Sequence, residues 1–170
     1  FGEADDGRAI GRDIQTRMGP SLALALPSFM GGLALNILLA LVSVRQVTQA
    51  YSHLWVGSCV VLMSISTLFW LILGQFIVAK WGQFAPISGW SYGWESLRFV
   101  WLPILIHWVA GIGAGVRWYR NILLQILSQD YIRAARAKGL SDWQTLWRHV
   151  LPNAALPIVT GSVAQLPLLF

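Results

Sequence analysis

Four long stretches of this chain carry no Asp, Glu, Lys or Arg, and they limit its fold more than any other feature. Charge is absent between Arg17 and Arg45, between Arg45 and Lys80, between Arg98 and Arg117, and from His149 to the end. A helix rises about 1.5 Å per residue, so about 20 apolar residues cross the hydrocarbon core of a bilayer. The stretches therefore predict four spans, at 21–44, 54–79, 99–116 and 154–170. Only 11% of residues are charged, against roughly 25% in soluble domains. In lipid a backbone must satisfy its own hydrogen bonds, and these runs lack the two-residue alternation of a barrel strand. The expected class is an all-α polytopic membrane protein.

The net charge of +5 follows from membrane topology and does not call for nucleic acid. Between Arg117 and Arg148 stand Arg117, Arg120, Arg133, Arg136, Lys138 and Arg148 against Asp130 and Asp142. The flanking segments are more evenly balanced, so the 117–153 loop is expected in the cytoplasm. Counting spans backward places 81–98 outside, the 45–53 link inside and the 1–20 tail outside, with a short interfacial helix over 11–18. Phe1 stands first where a Met would begin a chain, and Leu169-Phe170 ends it within an apolar run. The chain thus reads as a fragment with about four of six transmembrane helices. Cys59 is the single cysteine, which leaves no disulfide framework and no thiolate metal site.

Within the spans, Pro27 and Gly31-Gly32 permit a kink or close packing. Asn36, Gln75 and His107 are polar at membrane depth, where each either faces a translocation path or hydrogen-bonds a neighbouring helix. Gly111-Ile112-Gly113-Ala114-Gly115 has the wrong spacing for a dinucleotide loop, so Gly111 and Gly115 read as a packing face. Many of the ten Trp fall near span ends, in keeping with aromatic belts, although a substrate-stacking role remains open.

The loop is the informative interruption. Ser128-Gln129-Asp130 offers a helix N-cap, and Ala134, Ala135 and Ala137 favour helix through Lys138. Gly139 supplies a left-handed residue to end it, and Ser141-Asp142-Trp143-Gln144 restarts a helix with a capping box. In the second helix Trp143, Leu146, Trp147 and Val150 make an apolar face, opposite Gln144, Thr145 and Arg148. The result is a helix–Gly–helix elbow rimmed with basic residues.

The order Ala134-Ala135, three residues, Gly139, nine residues, His149, one residue, Leu151-Pro152 resembles the Glu-Ala-Ala-x3-Gly-x9-Ile-x-Leu-Pro motif of ABC-importer permeases. Arg133 stands at the Glu position and His149 at the Ile position. Tyr131 through Ser141, with Arg148-His149 and Asn153-Ala154, looks like the dipeptide, oligopeptide and nickel branch. Pro86-Ile87-Ser88-Gly89 is similar to the outer-loop signature of first-type permeases. The resemblance implies a type I permease fold in the bacterial inner membrane. It also implies that Asp130, Tyr131, Arg133, Ala134, Ala135, Ala137, Lys138, Gly139, Leu140 and Ser141 couple to an ATPase. The implied partners are two cytoplasmic ATPase subunits, a second permease subunit and an external solute-binding protein. ATP and Mg would lie on the ATPase, with no cofactor on this chain.

Nothing here resembles a phosphate-cradling Gly-x4-Gly-Lys-Ser/Thr loop, and no carboxylate pair or histidine cluster offers catalysis or metal ligation. The expected function is ATP-driven import by alternating access, most simply of di- or oligopeptides, with nickel or another solute as alternative cargo. The rival is an energy-independent secondary transporter or channel, which would call for ionisable coupling groups inside the spans.

Overall fold

A computed structural model describes residues 10–45, 49–81 and 93–165. The described residues are almost wholly helical. In order they form α1 (Ile10–Arg45), α2 (Gln49–Ser64), α3 (Thr67–Gln75), a π turn (Phe76–Trp81), a 3-10 turn (Gly93–Ser96), α4 (Leu97–Leu127), α5 (Asp130–Ala137), α6 (Asp142–Thr145), a second π turn (Leu146–Val150) and α7 (Leu151–Val163). The 82–92 part of the outer loop, with Pro86-Ile87-Ser88-Gly89, and residues 1–9, 46–48 and 166–170 lie outside the described residues.

Two helices are long and apolar enough to cross a bilayer, over Ile14–Val44 and Phe99–Leu127. The segments His53–Ser64 and Thr67–Val78 are apolar enough to cross only if taken as a pair, with a bend of 80° at the break between them. The C-terminal run is helical as α7, which at 13 described residues falls short of a full crossing. Two boundaries differ from the sequence expectation. The separate interfacial helix over 11–18 is instead the first turns of α1, a continuous helix of 36 residues containing Pro20 and Pro27. Likewise α4 does not stop at residue 116 but runs 31 residues, through Arg117 and Arg120 to Leu127. A cation marks where the membrane boundary falls, and it gives the backbone no reason to stop being helical.

The chain divides into two compact units, Phe1–Gly31 with Thr67–Val109, and Gly32–Ser66 with Ala110–Phe170. In the first, Leu102 and Ile106 form a small core with Trp70, Leu71, Val78 and Trp101 packed on it. Trp108 lies against Gly31. Its Nε1–H donates to the Pro27 and Ser28 carbonyls at 3.3 and 3.1 Å, so the indole brings no unsatisfied donor into an apolar setting. Beside the proline, the Ser28 hydroxyl donates to the Leu24 carbonyl at 2.7 Å. Leu68 and Ile72, 69% and 70% exposed, leave an apolar face of α3 uncovered, as a lipid-facing helix requires.

The second unit holds the larger core, in which Ala40, Val44, Cys59, Val116, Tyr119, Leu123, Ile132, Leu146, Val150, Ala154 and Ile158 are all buried. Helices from 32–66 and 110–170 can meet there because Gly113 and Gly115 have no side chains. A Cβ on Gly113 would stand 2.6 Å from both the Cys59 carbonyl oxygen and the Met63 amide nitrogen, which are backbone atoms that cannot swing away. At Gly115 it would meet the Asn36 side chain at 2.5 Å. The close approach predicted for Gly111 falls on Gly113 instead, since a Cβ at Gly111 would meet only Asn36 Nδ2, at 3.9 Å.

This contact predicts a sharp contrast between two glycines. Gly113→Ala forces α2 and α4 apart and costs about 1–3 kcal/mol, the usual range for overpacking. Gly57→Ala meets nothing within 4 Å and gains about 0.5–1 kcal/mol from helix propensity. Thermal unfolding in detergent should therefore move in opposite directions for the two variants.

Candidate functional site

The elbow is built from local chemistry that the structure realises bond by bond. At the end of α5, Gly139 has φ of 87°, a left-handed value that an L side chain resists. Its N–H donates to the Arg136 carbonyl at 2.9 Å, and the Leu140 N–H reaches back to the Ala135 carbonyl at 3.4 Å. Together these are the paired bonds of a Schellman motif. Two residues later Ser141 Oγ accepts from the Gln144 N–H at 3.3 Å, while Gln144 Oε1 accepts from the Ser141 N–H at 3.1 Å. That is the capping box expected from the sequence. Arg136 pairs with Asp142 at 3.3 Å across the bend. An exposed pair of this kind adds little stability.

The N-cap is different from the expectation. Gln129 occupies it and makes no side-chain capping bond. The Ser128 hydroxyl instead donates to the Gln125 carbonyl at 2.8 Å, and Asp130 pairs with Arg133 at 3.3 Å. The backbone puts Gln129 at the N-cap position, one residue after Ser128, whose side chain is turned back toward α4.

Burial sorts the ten candidate coupling residues. Asp130, Tyr131, Arg133, Ala134, Ala137, Lys138, Gly139 and Ser141 are exposed, and Leu140 is half-buried. Ala135 is buried, at 7%, together with Ile132 at 0%. Ala135 therefore belongs to the inner face of α5, and the partner-accessible face consists of the other residues. Ile132, missed by the sequence reading, anchors that inner face: it is part of the same buried cluster as Leu123, Leu146 and Val150. Its signal was present as the lone large aliphatic residue within a polar helix.

The second helix also departs from its predicted face. Thr145 is fully buried beside Leu146, whereas Trp143 and Trp147 are about half exposed and stack edge to face, with centroids 5.3 Å apart. The buried positions Leu146, Val150, Ala154, Ile158 and Ser162 recur every four residues. An ideal α-helix drifts off that spacing. The π turn at Leu146–Val150 holds more residues per turn and takes up part of the drift.

The three membrane-depth polar residues fall in different compact units. Asn36 is buried in the second unit, donates Nδ2–H to the Gly32 carbonyl at 2.8 Å and packs at Gly115. It thus bonds within its own helix and contributes packing between helices. Gln75 is half-buried and His107 exposed, and both belong to the first unit. Among the described residues no group of three or more His, Cys, Asp or Glu could hold a metal ion.

The described residues combine membrane-length apolar helices with a preformed two-helix elbow rimmed by basic side chains. Residues 45–170 match the family described as binding-protein-dependent transport system inner membrane component, and the chain belongs to that family. It is 30% identical over 158 residues to a protein of Brucella ovis described as a peptide permease, an alignment that takes in 86% of this chain and 48% of that one. It is 30% identical over 178 residues to the oligopeptide transport system permease protein OppB of Mycobacterium tuberculosis, covering 94% of this chain and 54% of the relative. With the glutathione transport system permease protein GsiC of Shigella flexneri it shares 26% over 157 residues, 90% of this chain and 49% of the relative. The chain spans about half the length of these curated relatives.

The elbow's two caps are separately testable. Gly139→Ala costs about 1–2 kcal/mol through the left-handed backbone, and Ser141→Ala about 1 kcal/mol through the lost cap. Each variant should speed tryptic cleavage at Arg136 and Lys138 by loosening the bend. Cleavage at the parental rate in both would contradict the assigned cap geometry.

Proposed function

We propose that the protein containing this chain is the permease subunit of an ATP-driven importer. Substrate crosses by alternating access, coupled to a separate ATPase through the 130–152 segment. The observation that carries this reading is the two-faced elbow. Ile132 and Ala135 fix its inner side to the buried cluster, while Tyr131, Ala134, Ala137 and Lys138 stand exposed on the other. A partner gripping the exposed face would displace α5 together with the core beneath it, because a packed cluster moves as a unit more readily than it deforms. Small side chains at Ala134 and Ala137 leave room for a cleft to close on the helix. Coupling also requires that the ATPase bind the elbow differently in its two nucleotide states, since equal affinity shifts no equilibrium.

In this reading two ATPase subunits carry ATP and Mg, a second permease subunit completes the path, and an external solute-binding protein delivers cargo. Di- or oligopeptides are the proposed cargo, supported by the peptide and oligopeptide names of the relatives. Membership in a binding-protein-dependent family weighs against an energy-independent transporter or channel.

Single cysteines at Ala134, Ala137 and Ala135 in the complete transporter test the docking. The first two should crosslink to the co-expressed ATPase, whereas the buried Ala135 position should not. Gly139→Pro should abolish peptide uptake, because proline cannot adopt a positive φ. If neither exposed position crosslinks and Gly139→Pro leaves uptake intact, the coupling role is wrong.

A further inference from the structure

The stretch that carries the elbow into α7 is at odds with its own sequence in three places. Thr145 is fully buried, and its Oγ1 has no hydrogen-bond partner among the described residues. A buried hydroxyl left unpaired costs stability, and a helical threonine ordinarily bonds the carbonyl four residues back, as Thr160 does to Leu156 at 2.9 Å. Trp143 and Trp147 are 51% and 47% exposed, although both are large and apolar. Finally, the Leu151 N–H donates to the Leu146 carbonyl, five residues back instead of four, which makes Leu146–Val150 a π turn.

One change of register removes all three conflicts. The inward positions now run from Thr145 and Leu146 through Val150 and Ala154 to Ile158. In a regular α-helix that ends on the same Val150, residues 143, 146, 147 and 150 share a face, at spacings of three and four. Converting the π turn to α-helix therefore rotates α6 by one residue, about 100° at 3.6 residues per turn. Leu146 and Val150 stay inward, Trp143 and Trp147 turn in, and Thr145 turns out to water. That is the amphipathic face which the order of residues favours on its own.

The backbone loses little in the exchange. The Leu151 N–H gives up the Leu146 carbonyl and takes that of Trp147, one bond for another. Pro152 follows and has no N–H, so the ladder is already interrupted there and α7 keeps its register. At the other end, the Ser141–Gln144 capping box lies within the first turn of α6 and travels with it.

We propose that residues 145–152 are a two-register switch. The π turn and a regular α-helix exchange, and Thr145 trades places with Trp143 and Trp147 against the core. The switch is a property of the fold and stands apart from the coupling reading.

The test is fluorine NMR of 5-fluorotryptophan in the complete permease in lipid, with two signals assigned through Trp143→Phe and Trp147→Phe. A soluble gadolinium chelate broadens the indoles that face water. Thr145→Val removes the orphan hydroxyl and holds the π register, so the exposed-to-buried ratio of both indoles should rise about tenfold. Thr145→Asp cannot stay buried without a partner, so it should move that ratio the other way and shield both indoles from the chelate. The switch is overturned if both indoles keep the same environment and the same broadening in the two variants. It is equally overturned if Thr145→Asp exposes the whole segment, read as fast amide exchange at Leu146 and Val150, because the α register keeps both in the core.

Discussion

The burial of one isoleucine organises the polar part of this chain. Ile132 sits in a helix otherwise made of Asp, Tyr, Arg and Ala, yet it is fully buried in the cluster that includes Leu123, Leu146 and Val150. Removing such a side chain from water contributes about 1.5–3 kcal/mol. A short, charged α5 would otherwise be marginal, because isolated helices of this length are unstable in water. Anchored, it becomes an extension of the core. The Schellman bonds at Gly139 and the capping box at Ser141 then turn the chain at a set angle, and Leu146 and Val150 return it to the same cluster.

This arrangement gives the polar segment two distinct sides. The inner side is apolar and continuous with the unit that contains Tyr119 and Leu123 of α4. The outer side carries Tyr131, Arg133, Lys138 and the small residues Ala134 and Ala137, all exposed. Neighbouring α4 reaches the same unit through Gly113, whose missing Cβ lets it approach the backbone of α2. Between those helices lies a cavity lined by Trp55, Val56, Cys59, Val116, Arg117, Arg120 and Asn121.

What could be read from the sequence was whatever depended on neighbours a few residues away. The Gly139 turn and the Ser141–Gln144 box involve bonds spanning no more than five residues, and residue type dictates them directly. The charge-free runs likewise announced membrane helices. Features that depended on distant residues were hidden. Nothing local distinguishes Ala134 from Ala135, and only the position of the core decides which is buried. Thr145 went to the wrong face because the π turn at Leu146–Val150 alters the periodicity on which a helical-face argument relies. Arg117 and Arg120 marked the end of an apolar run and were mistaken for the end of its helix, when α4 continues to Leu127.

The central claim is that α5 is fixed to the core and is no loosely tethered loop. Amide hydrogen exchange on the complete permease in lipid tests it most directly. If the account holds, the amides of 133–138 exchange as slowly as those of Leu123 and Val150, because all open only when the shared cluster opens. Exchange of 133–138 at the rate of an unstructured chain, with Leu123 still protected, would contradict it.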